Sequence, residues 1–176
     1  GPLKEEDVCQ PVNVYGRHKL EAEQRTLRNL PDSVGLRLTW MYDLPDSCLK
    51  QNSNLLANLQ KASREGKTLQ AAIHEFRGVT NVWEVVRNID KALSLPGGIY
   101  NFGSGNNVNS YELFLATAAL MKFRKPSEWI LPDADRFSDQ ERNLTMNCAS
   151  IEAHGIHFND SREGIREALQ RPFRTK

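Results

Sequence analysis

The chain has 176 residues, which is enough for one domain with its own core, or for one domain and a small satellite. Its 23 basic and 22 acidic residues nearly cancel, so the composition implies neither nucleic acid nor an acidic membrane surface as a partner. No apolar run approaches the roughly 20 residues that a membrane span requires, so we expect no membrane association.

The predicted elements alternate between helix and strand. Apolar spacing and Gly or Pro stops predict helices over about residues 13–30, 55–65, 80–95, 109–121 and 161–169, and strands over about 34–40, 68–73 and 98–102. Thr80 is the predicted N-cap of the third helix, and Asn109 with Glu112 predicts a capping box for the fourth. A loop contains Pro45 and Cys48, and residues 125–147 are polar and irregular. This alternation predicts βαβ units in a mainly parallel α/β sheet of three or four strands.

The cysteines and the first residues bear on where the protein works. Cys9, Cys48 and Cys148 are widely separated and have no metal-site spacing. They indicate reduced thiols, and because no signal peptide opens the chain we expect a cytoplasmic protein without a metal. Residues 1–3 (Gly-Pro-Leu) are typical of an expression-tag remnant and are left out of the fold prediction.

Tyr15 and Lys19 stand four residues apart in the first predicted helix. Positions i and i+4 share one helix face, so the Lys19 ammonium can lie close to the Tyr15 phenol. A nearby cation favours the phenolate, which would let Tyr15 exchange a proton with a carbonyl or an alcohol near neutral pH. The alternative is an ordinary amphipathic helix with a surface lysine and a half-buried tyrosine.

The residues around this pair form the pattern P-x-N-x-Y-G-x-x-K-L-x-x-E over residues 11–23. It resembles the active-site helix of the extended short-chain dehydrogenase/reductases, and within them the dTDP-4-dehydrorhamnose reductases. Similar resemblances follow in L-R-L-T-W-M-Y, E-F-R-G-V-T-N-V, Y-N-F-G-S-G and R-E-G-I, at residues 36–42, 75–82, 100–105 and 162–165.

The resemblance spans nearly the whole chain but only the later half of the family's fold. It implies the last strands of an NAD(P)-binding, Rossmann-like doubly wound parallel sheet plus a small substrate-binding lobe. Residues about 43–80 and 105–160 are expected to belong to that lobe. Because the earlier half of the fold is missing, we also expect exposed surface that a missing N-terminal half or a second copy would cover.

Residues 1–176 contain no complete glycine-rich turn of the kind that cradles a cofactor pyrophosphate. Gly103-Ser104-Gly105 is the nearest candidate, and a tight strand-to-helix loop is the favoured interpretation of it. The resemblance implies NADP or NAD as the cofactor of a parent protein, held in part by Lys19. The 176-residue chain alone is expected to bind NAD(P)H weakly or not at all and to have no appreciable reductase activity.

The resemblance implies reduction of a 4-keto group on a nucleotide-linked deoxysugar, with Tyr15 as the proton donor. Trp40 is expected to pack against the sugar ring and Arg77 to pair with the substrate diphosphate. A core or rim tryptophan and a solvated surface arginine are the alternatives for these two residues. An epimerase or dehydratase of the same superfamily would share Tyr15 and Lys19, and a non-catalytic reductase-like regulatory or interaction subunit would keep the fold without turnover.

Overall fold

The computed structural model describes residues 1–44 and 53–170. Its helices are α1 Val14–Asn29, α2 Leu55–Glu65, α3 Val82–Ala92, α4 Ser110–Leu120, α5 Ala149–Glu152 and α6 Ser161–Gln170. Its strands are β1 Val34–Leu38, β2 Trp40–Tyr42, β3 Leu69–Ala72, β4 Glu75–Phe76, β5 Val79–Asn81, β6 Gly98–Phe102, β7 Ile130–Asp133 and β8 Arg142–Asn143. Each of the five predicted helices is present, while the predicted loop with Pro45 and Cys48 falls largely outside the described residues.

The strands associate as four parallel pairs: β1 with β6, β2 with β5, β3 with β7, and β4 with β8. The prediction of a mainly parallel α/β fold is therefore confirmed. The single strand predicted over residues 34–40 is wrong in detail, because the chain changes partner at Thr39. There the Thr39 hydroxyl shares a hydrogen bond with the buried Thr80 hydroxyl, and the chain passes from β6 to β5 as its neighbour.

The prediction that residues 125–147 are irregular is also wrong. Strand β7 lies in this region and pairs with β3, from Leu69 opposite Ile130 to Ala72 opposite Asp133. Two further residues form β8 beside β4. Pro132 and the polar residues around β7 give this segment no local strand pattern. Its pairing partner, β3, lies some sixty residues earlier, so β7 depends on a long-range contact.

Local capping explains where several helices begin and end. The Asn109 side chain accepts from Glu112 N and the Glu112 side chain accepts from Asn109 N, which confirms the predicted capping box. Gly66 ends α2 in the left-handed region at φ 62°. The predicted N-cap of α3 is wrong: Asn81, not Thr80, accepts from Trp83 N at 2.8 Å, because the Thr80 hydroxyl is already bonded inside the protein.

Helix α3 turns its most apolar stripe outward. Val86, Ile89 and Leu93 are exposed, whereas Glu84 and Asn88 are buried. The reason is tertiary: Glu84 accepts from Asn159 Nδ2 at 2.7 Å, and Asn88 donates to the His157 carbonyl at 2.9 Å. Because Ala92 is also buried and Val85 packs against the same apolar cluster, α3 buries a mixed face that polar contacts with the α5–α6 connection and apolar packing define together.

Leu3, one of the three residues left out of the fold prediction, is hydrogen-bonded to the rest of the chain. Leu3 N donates to the Thr145 carbonyl at 2.7 Å, and the Leu3 carbonyl accepts from Asn147 N at 2.8 Å and from the buried Asn101 side chain at 2.8 Å. This segment thereby joins the chain before α1 to β6. Among the described residues, no helix is both long and apolar enough to cross a bilayer.

Three apolar clusters hold these elements together. The first lies between β2, α2, α4 and α6, the second between α3, β6 and α5, and the third between α2, α4, β3 and β7. Fully buried side chains anchor each one: Leu56 and Ile165, Phe102 and Ile156, and Leu59 and Ile130, respectively. Two concave regions lie along β1 and β2, at the margins of these clusters.

Candidate functional site

Tyr15 and Lys19 lie together on α1, as predicted from their spacing. Lys19 Nζ is 5.6 Å from the centroid of the Tyr15 ring, and Tyr15 is 71% exposed. Asn13 begins the helix that carries them by accepting from Gly16 N at 2.8 Å. Both side chains therefore face open space from a capped helical turn, where a ligand can reach the phenol.

These two residues line a groove of about 670 Å³ between α1 and β1. The opposite wall is formed by β1 with Ile99 and Met146. Within the described part of the chain, β1 has a paired strand on one edge only, that of β6. The groove is consequently open and partly apolar, and it is wide enough to admit a ligand or another polypeptide segment.

The position of α1 depends on an ion pair with β1. Arg37 donates from Nε to Glu23 at 2.9 Å and from a terminal nitrogen at 2.7 Å, and a third Arg37 donor reaches the Glu5 carbonyl at 3.2 Å. The hydrogen bond and charge of Glu23 raise the pKa of Arg37 against the opposing effect of burial. No α1 side chain is fully buried by the described residues, so the Arg37–Glu23 ion pair fixes the position of α1, and with it that of Tyr15 and Lys19, against β1.

Trp40 and Arg77 lie together in a second pocket of about 380 Å³. Arg77 Cζ is 3.7 Å from the centroid of the Trp40 ring, the distance of a guanidinium packed on an aromatic face. Trp40 is nevertheless 66% exposed, which leaves its other surface open. Trp40 is therefore neither a core residue nor an isolated one, and Arg77 is not a solvated surface arginine.

Glu75 connects the charges of this pocket. Its side chain is 10% exposed; one carboxylate oxygen accepts from Arg77 at 2.9 Å and lies 3.4 Å from Arg142, and the other accepts from the Ser110 hydroxyl at 3.1 Å. Burial lowers the pKa of Arg77, while the charge of Glu75 acts in the opposite direction. Two guanidinium groups thus share one buried carboxylate.

The structure brings the predicted residues together as two pairs rather than as one cluster. Among the described residues, the groove of Tyr15 and Lys19 shares no lining residue with the pocket of Trp40 and Arg77. The two are nevertheless adjacent along the chain, because β1 lines the groove up to Leu38 and β2 begins the pocket at Trp40. Sequence reasoning missed Glu75 as the anchor of the pocket, although Glu75 and Arg77 at i and i+2 near a strand are a pattern that could have indicated it.

The Gly103–Gly105 turn is a packed junction. Ser104 N donates to Thr80 Oγ1 at 2.7 Å, and the Gly105 carbonyl accepts from Ser161 N at 2.9 Å. A Cβ at Gly103 would lie 2.7 Å from the Thr39 hydroxyl. The turn is therefore packed against Thr39 and Thr80 at Gly103 and Ser104, whereas a Cβ at Gly105 would meet no atom within 4 Å.

The chain matches the model of a known protein family. Residues 1–173 match the model of the RmlD substrate binding domain. The chain is similar to methionine adenosyltransferase 2 subunit beta of Danio rerio, with 26% identity over 178 residues that cover 96% of this chain and 54% of that protein. The chain thus spans about half the length of the curated relatives it matches.

Solved structures share the fold. The crystal structure of dTDP-4-dehydrorhamnose reductase from Bacillus anthracis in complex with NADP has a TM-score of 0.78 at 16% identity, covering 94% of this chain and 58% of that one. The dTDP-glucose 4,6-dehydratase of the same organism, in complex with NAD, has a TM-score of 0.73 at 20% identity, covering 97% and 55%. The resemblance to the extended short-chain dehydrogenase/reductases is confirmed, and the chain belongs to the RmlD substrate-binding domain family.

Proposed function

We propose that this chain is the later half of an NAD(P)-dependent sugar-nucleotide reductase that reduces a 4-keto group on a nucleotide-linked deoxysugar. One observation carries the proposal: in a chain of the RmlD substrate-binding family, Lys19 Nζ lies 5.6 Å from the ring of an exposed Tyr15, and both line a groove. An accessible phenol beside an ammonium group is suited to general acid–base chemistry on a carbonyl or an alcohol.

Tyr15 is the proposed catalytic acid. Reduction of a ketone leaves a developing alkoxide, and the Tyr15 hydroxyl would donate its proton to that oxygen. The Lys19 ammonium would stabilise the phenolate that remains, since an opposite charge nearby favours the ionised form. Lys19 is also the residue that would hold the ribose of NADP or NAD, which supplies the hydride when bound.

Trp40 and Arg77 are the proposed substrate-binding residues. Their pocket is lined on one side by β2 and on the other by residues of α2 and α4, including Asn58 and Phe114. Aromatic side chains with a few fixed polar groups are typical of small-molecule binding pockets, and a nucleotide-linked sugar is the ligand proposed for this one. The segments about 43–80 and 105–160 would form the substrate-binding lobe, with residues 43–44 and 53–80 of the first segment described by the structure.

The 176-residue chain by itself is proposed to be inactive or nearly so. Its sequence contains no complete glycine-rich turn, and its nearest candidate, Gly103–Gly105, is packed at Gly103 and Ser104 against Thr39 and Thr80. Positioning of reactants contributes several kcal/mol to catalysis, so a chain that cannot hold the cofactor firmly loses most of its rate. A preceding polypeptide half with a glycine-rich βαβ unit, or a second copy of the chain, would be the partner.

Two other functions remain as alternatives, each favoured by one comparison. An epimerase or dehydratase would use the same Tyr15 and Lys19, and the likeness to a dTDP-glucose 4,6-dehydratase favours this class. A non-catalytic subunit would keep the fold without turnover, and the similarity to methionine adenosyltransferase 2 subunit beta favours that class. Of these three functions, only the reductase would reduce a keto-sugar nucleotide with consumption of NAD(P)H.

The decisive experiment measures oxidation of NADPH by the chain joined to its upstream half, with a dTDP-4-keto-6-deoxysugar as substrate. The reductase proposal expects stoichiometric NADPH consumption, and a loss of about 10²-fold or more in kcat for Tyr15→Phe, as for removal of a general acid. Tyr111→Phe, at a half-buried tyrosine outside the groove, is the matched control and should retain the rate.

Two results would reject this function. A second assay supplies dTDP-glucose, which keeps its 4- and 6-hydroxyl groups; product formation from it without net oxidation or reduction of the cofactor would indicate an epimerase or dehydratase. Absence of any sugar turnover, with wild-type protein that is folded and binds NADPH, would indicate a non-catalytic subunit. Calorimetry of the 176-residue chain with NADPH tests the separate expectation of weak binding, and micromolar affinity would contradict it.

A further inference from the structure

Tyr15, Lys19 and Glu23 follow one another at intervals of four residues along α1. Residues four apart lie on one face of a helix, so Lys19 has the turn of Tyr15 on one side and the turn of Glu23 on the other. All three residues line the groove between α1 and β1. The Lys19 ammonium is therefore within reach of two groups, a phenol that its charge would activate and a carboxylate that would neutralise it.

In the structure the Lys19 ammonium lies beside Tyr15 and is not paired with Glu23. Lys19 Nζ is 5.6 Å from the centroid of the Tyr15 ring. In the part of the chain that the structure describes, no ion pair joins Lys19 to a carboxylate. The same helix shows that such pairs form where a carboxylate is available, because Glu21 accepts from Arg25, four residues later, at 2.5 Å. Helix spacing alone therefore does not explain why Lys19 and Glu23 stay apart.

The Glu23 carboxylate is occupied by Arg37. Arg37 Nε donates to one carboxylate oxygen at 2.9 Å, and an Arg37 terminal nitrogen donates to the other at 2.7 Å. The side chains of this pair are only 23% and 20% exposed, whereas Lys19 is exposed. A planar donor fork matches a carboxylate better than a single ammonium does, and a lysine that precedes a glutamate is the weaker order for a helical pair. Arg37 is thus the favoured partner of Glu23.

Few other charges act on this groove. Among its described lining residues, those with charged side chains are Lys19, Glu23 and Arg37. Glu5 is close to Arg37, but its carboxylate already accepts from Asn101 N at 2.9 Å. The remaining titratable neighbour of Arg37 is the thiol of Cys9, which would carry charge only at alkaline pH. The charge that Tyr15 experiences on this face consequently depends on how Lys19, Glu23 and Arg37 pair.

We propose that Arg37 is a positioning residue that binds the Glu23 carboxylate and thereby leaves the Lys19 ammonium beside Tyr15. Without Arg37, the Glu23 carboxylate would lie one helical turn from Lys19, which would be the remaining cation of the groove. Glu23 would then draw the ammonium away from the phenol and offset its charge. The catalytic consequence rests on the proposed function, because it takes Tyr15 as the proton donor, whereas the competition for Glu23 does not.

The first test follows the ionisation of Tyr15 and Lys19 without any ligand. NMR of chains labelled with ¹³C at tyrosine Cζ and at lysine Cε reports both groups, and Tyr15→Phe and Lys19→Arg assign the two resonances. In Arg37→Met both groups should ionise at higher pH than in the wild type, by about 0.3–0.5 pH unit at low salt. The reason is that a carboxylate one turn away favours the ammonium and offsets its effect on the phenolate. A Cys9→Ser background removes the nearby thiolate from the titration.

A double variant separates competition for Glu23 from support of the helix. Arg37→Met combined with Glu23→Gln lacks the ion pair that holds α1, but it also lacks the carboxylate that would bind Lys19. Competition predicts that both titration midpoints return to the wild-type values, whereas a purely supporting role predicts that they depart as far as in Arg37→Met. Arg25→Met is the matched control: it frees Glu21, which does not share a helix face with Lys19, and should leave both midpoints in place.

Turnover provides the second readout. In the chain joined to its upstream half, kcat should fall about 3-fold in Arg37→Met, the rate equivalent of half a pH unit, and recover in the double variant. Unchanged midpoints in Arg37→Met, or midpoints that stay shifted in the double variant, would overturn the inference. Arg37→Gln keeps a donor for Glu23 without the charge and serves if Arg37→Met does not fold. Absence of reductase turnover in the wild type would reject the proposed function, while the titrations would still decide whether Arg37 keeps Glu23 from Lys19.

Discussion

Arg37 on β1 and Glu23 on α1 form a two-point ion pair, with donor–acceptor distances of 2.9 and 2.7 Å. The two side chains are about four-fifths buried, at 23% and 20% exposure, which protects their interaction from solvent screening. Because α1 contributes no fully buried side chain among the described residues, this pair substitutes for a packed interface. The helix that carries Tyr15 and Lys19 is thereby attached to β1 mainly through charge and hydrogen bonding.

Replacing Glu23 by Gln should therefore lower the free energy of unfolding by about 1–3 kcal/mol, because the variant leaves a partly buried guanidinium without its counter-charge. Urea denaturation measures the change. Glu21→Gln is the matched control on the same helix: Glu21 pairs with Arg25 in an exposed i, i+4 arrangement, and its loss should cost less than about 0.5 kcal/mol. Equal effects of the two variants would contradict the anchoring role of Arg37 and Glu23.

The Thr80 hydroxyl should stabilise the junction of β5 with the Gly103–Gly105 turn. It accepts from Ser104 N at 2.7 Å and shares a hydrogen bond with Thr39. Thr80→Val keeps the volume but leaves the buried Ser104 amide without its acceptor, so it should cost about 1–3 kcal/mol in thermal or urea unfolding.

A companion variant checks which residue begins α3. Asn81→Ala removes the side-chain oxygen that accepts from Trp83 N and should cost about 1 kcal/mol, the usual value of an N-cap. Thr80→Val removes the acceptor of the Ser104 amide, whereas Asn81→Ala removes the N-cap of α3. Each variant should therefore lower the free energy of unfolding independently of the other. Wild-type stability in Thr80→Val would show that its hydroxyl is not needed at the junction.

Strand β7 should behave as an element with one buried face. Ile130 is fully buried against Leu59 and Ala118, whereas its neighbour Leu131 is 40% exposed. Ile130→Ala should cost about 2–5 kcal/mol through lost burial and a residual cavity, while Leu131→Ala should cost less than about 1 kcal/mol. Chemical denaturation of the pair measures this contrast, and similar losses at both positions would argue against the register of β7 with β3.

Alkaline pH should weaken the fold through Cys148. Burial raises the pKa of its thiol from 9.0 to about 11, so the folded state keeps a proton that the unfolded state releases. The corresponding stabilisation is present below pH 9 and is lost as the pH rises to about 11. The difference in unfolding free energy between wild type and Cys148→Ala should shrink across this interval.

Alkylation provides an independent measurement of the same thiol. Cys9 is exposed and Cys148 is partly buried, so iodoacetamide should modify Cys9 first at mildly alkaline pH, because the thiolate is the reactive form. Mass spectrometry of tryptic peptides distinguishes the two sites. Faster modification of Cys148 would contradict the raised pKa.

Features set by short stretches of chain were predictable from the sequence. Asn13, Gly66 and the Asn109–Glu112 box use contacts within a few residues, so their roles follow from residue type and spacing. The helical spacing of Tyr15 and Lys19 likewise places them on one face before any packing is known. The motifs around them were sufficient to identify the family.

Features set by distant contacts were not predictable in the same way. Strand β7 exists because β3 lies beside it, and α3 turns Glu84 inward because Asn159 meets it 75 residues later. Neither relationship leaves a periodic signal in its own segment, since each depends on a polar or backbone partner that only the folded chain brings near. Apolar periodicity therefore identified α3 as a helix but did not indicate that its buried face includes Glu84 and Asn88.

The sequence by itself determined that this protein is a parallel α/β member of a reductase-like family with a tyrosine–lysine pair on its first helix. Helix periodicity, caps and motif spacing are local properties, so they can be recognised in the sequence before the tertiary structure is known. The tertiary structure alone decided that Arg37 holds that helix to β1, and that Glu75 holds Arg77 against Trp40. Those contacts join residues on separate elements, and their strength comes from the burial of charge, which exists only once the elements have packed.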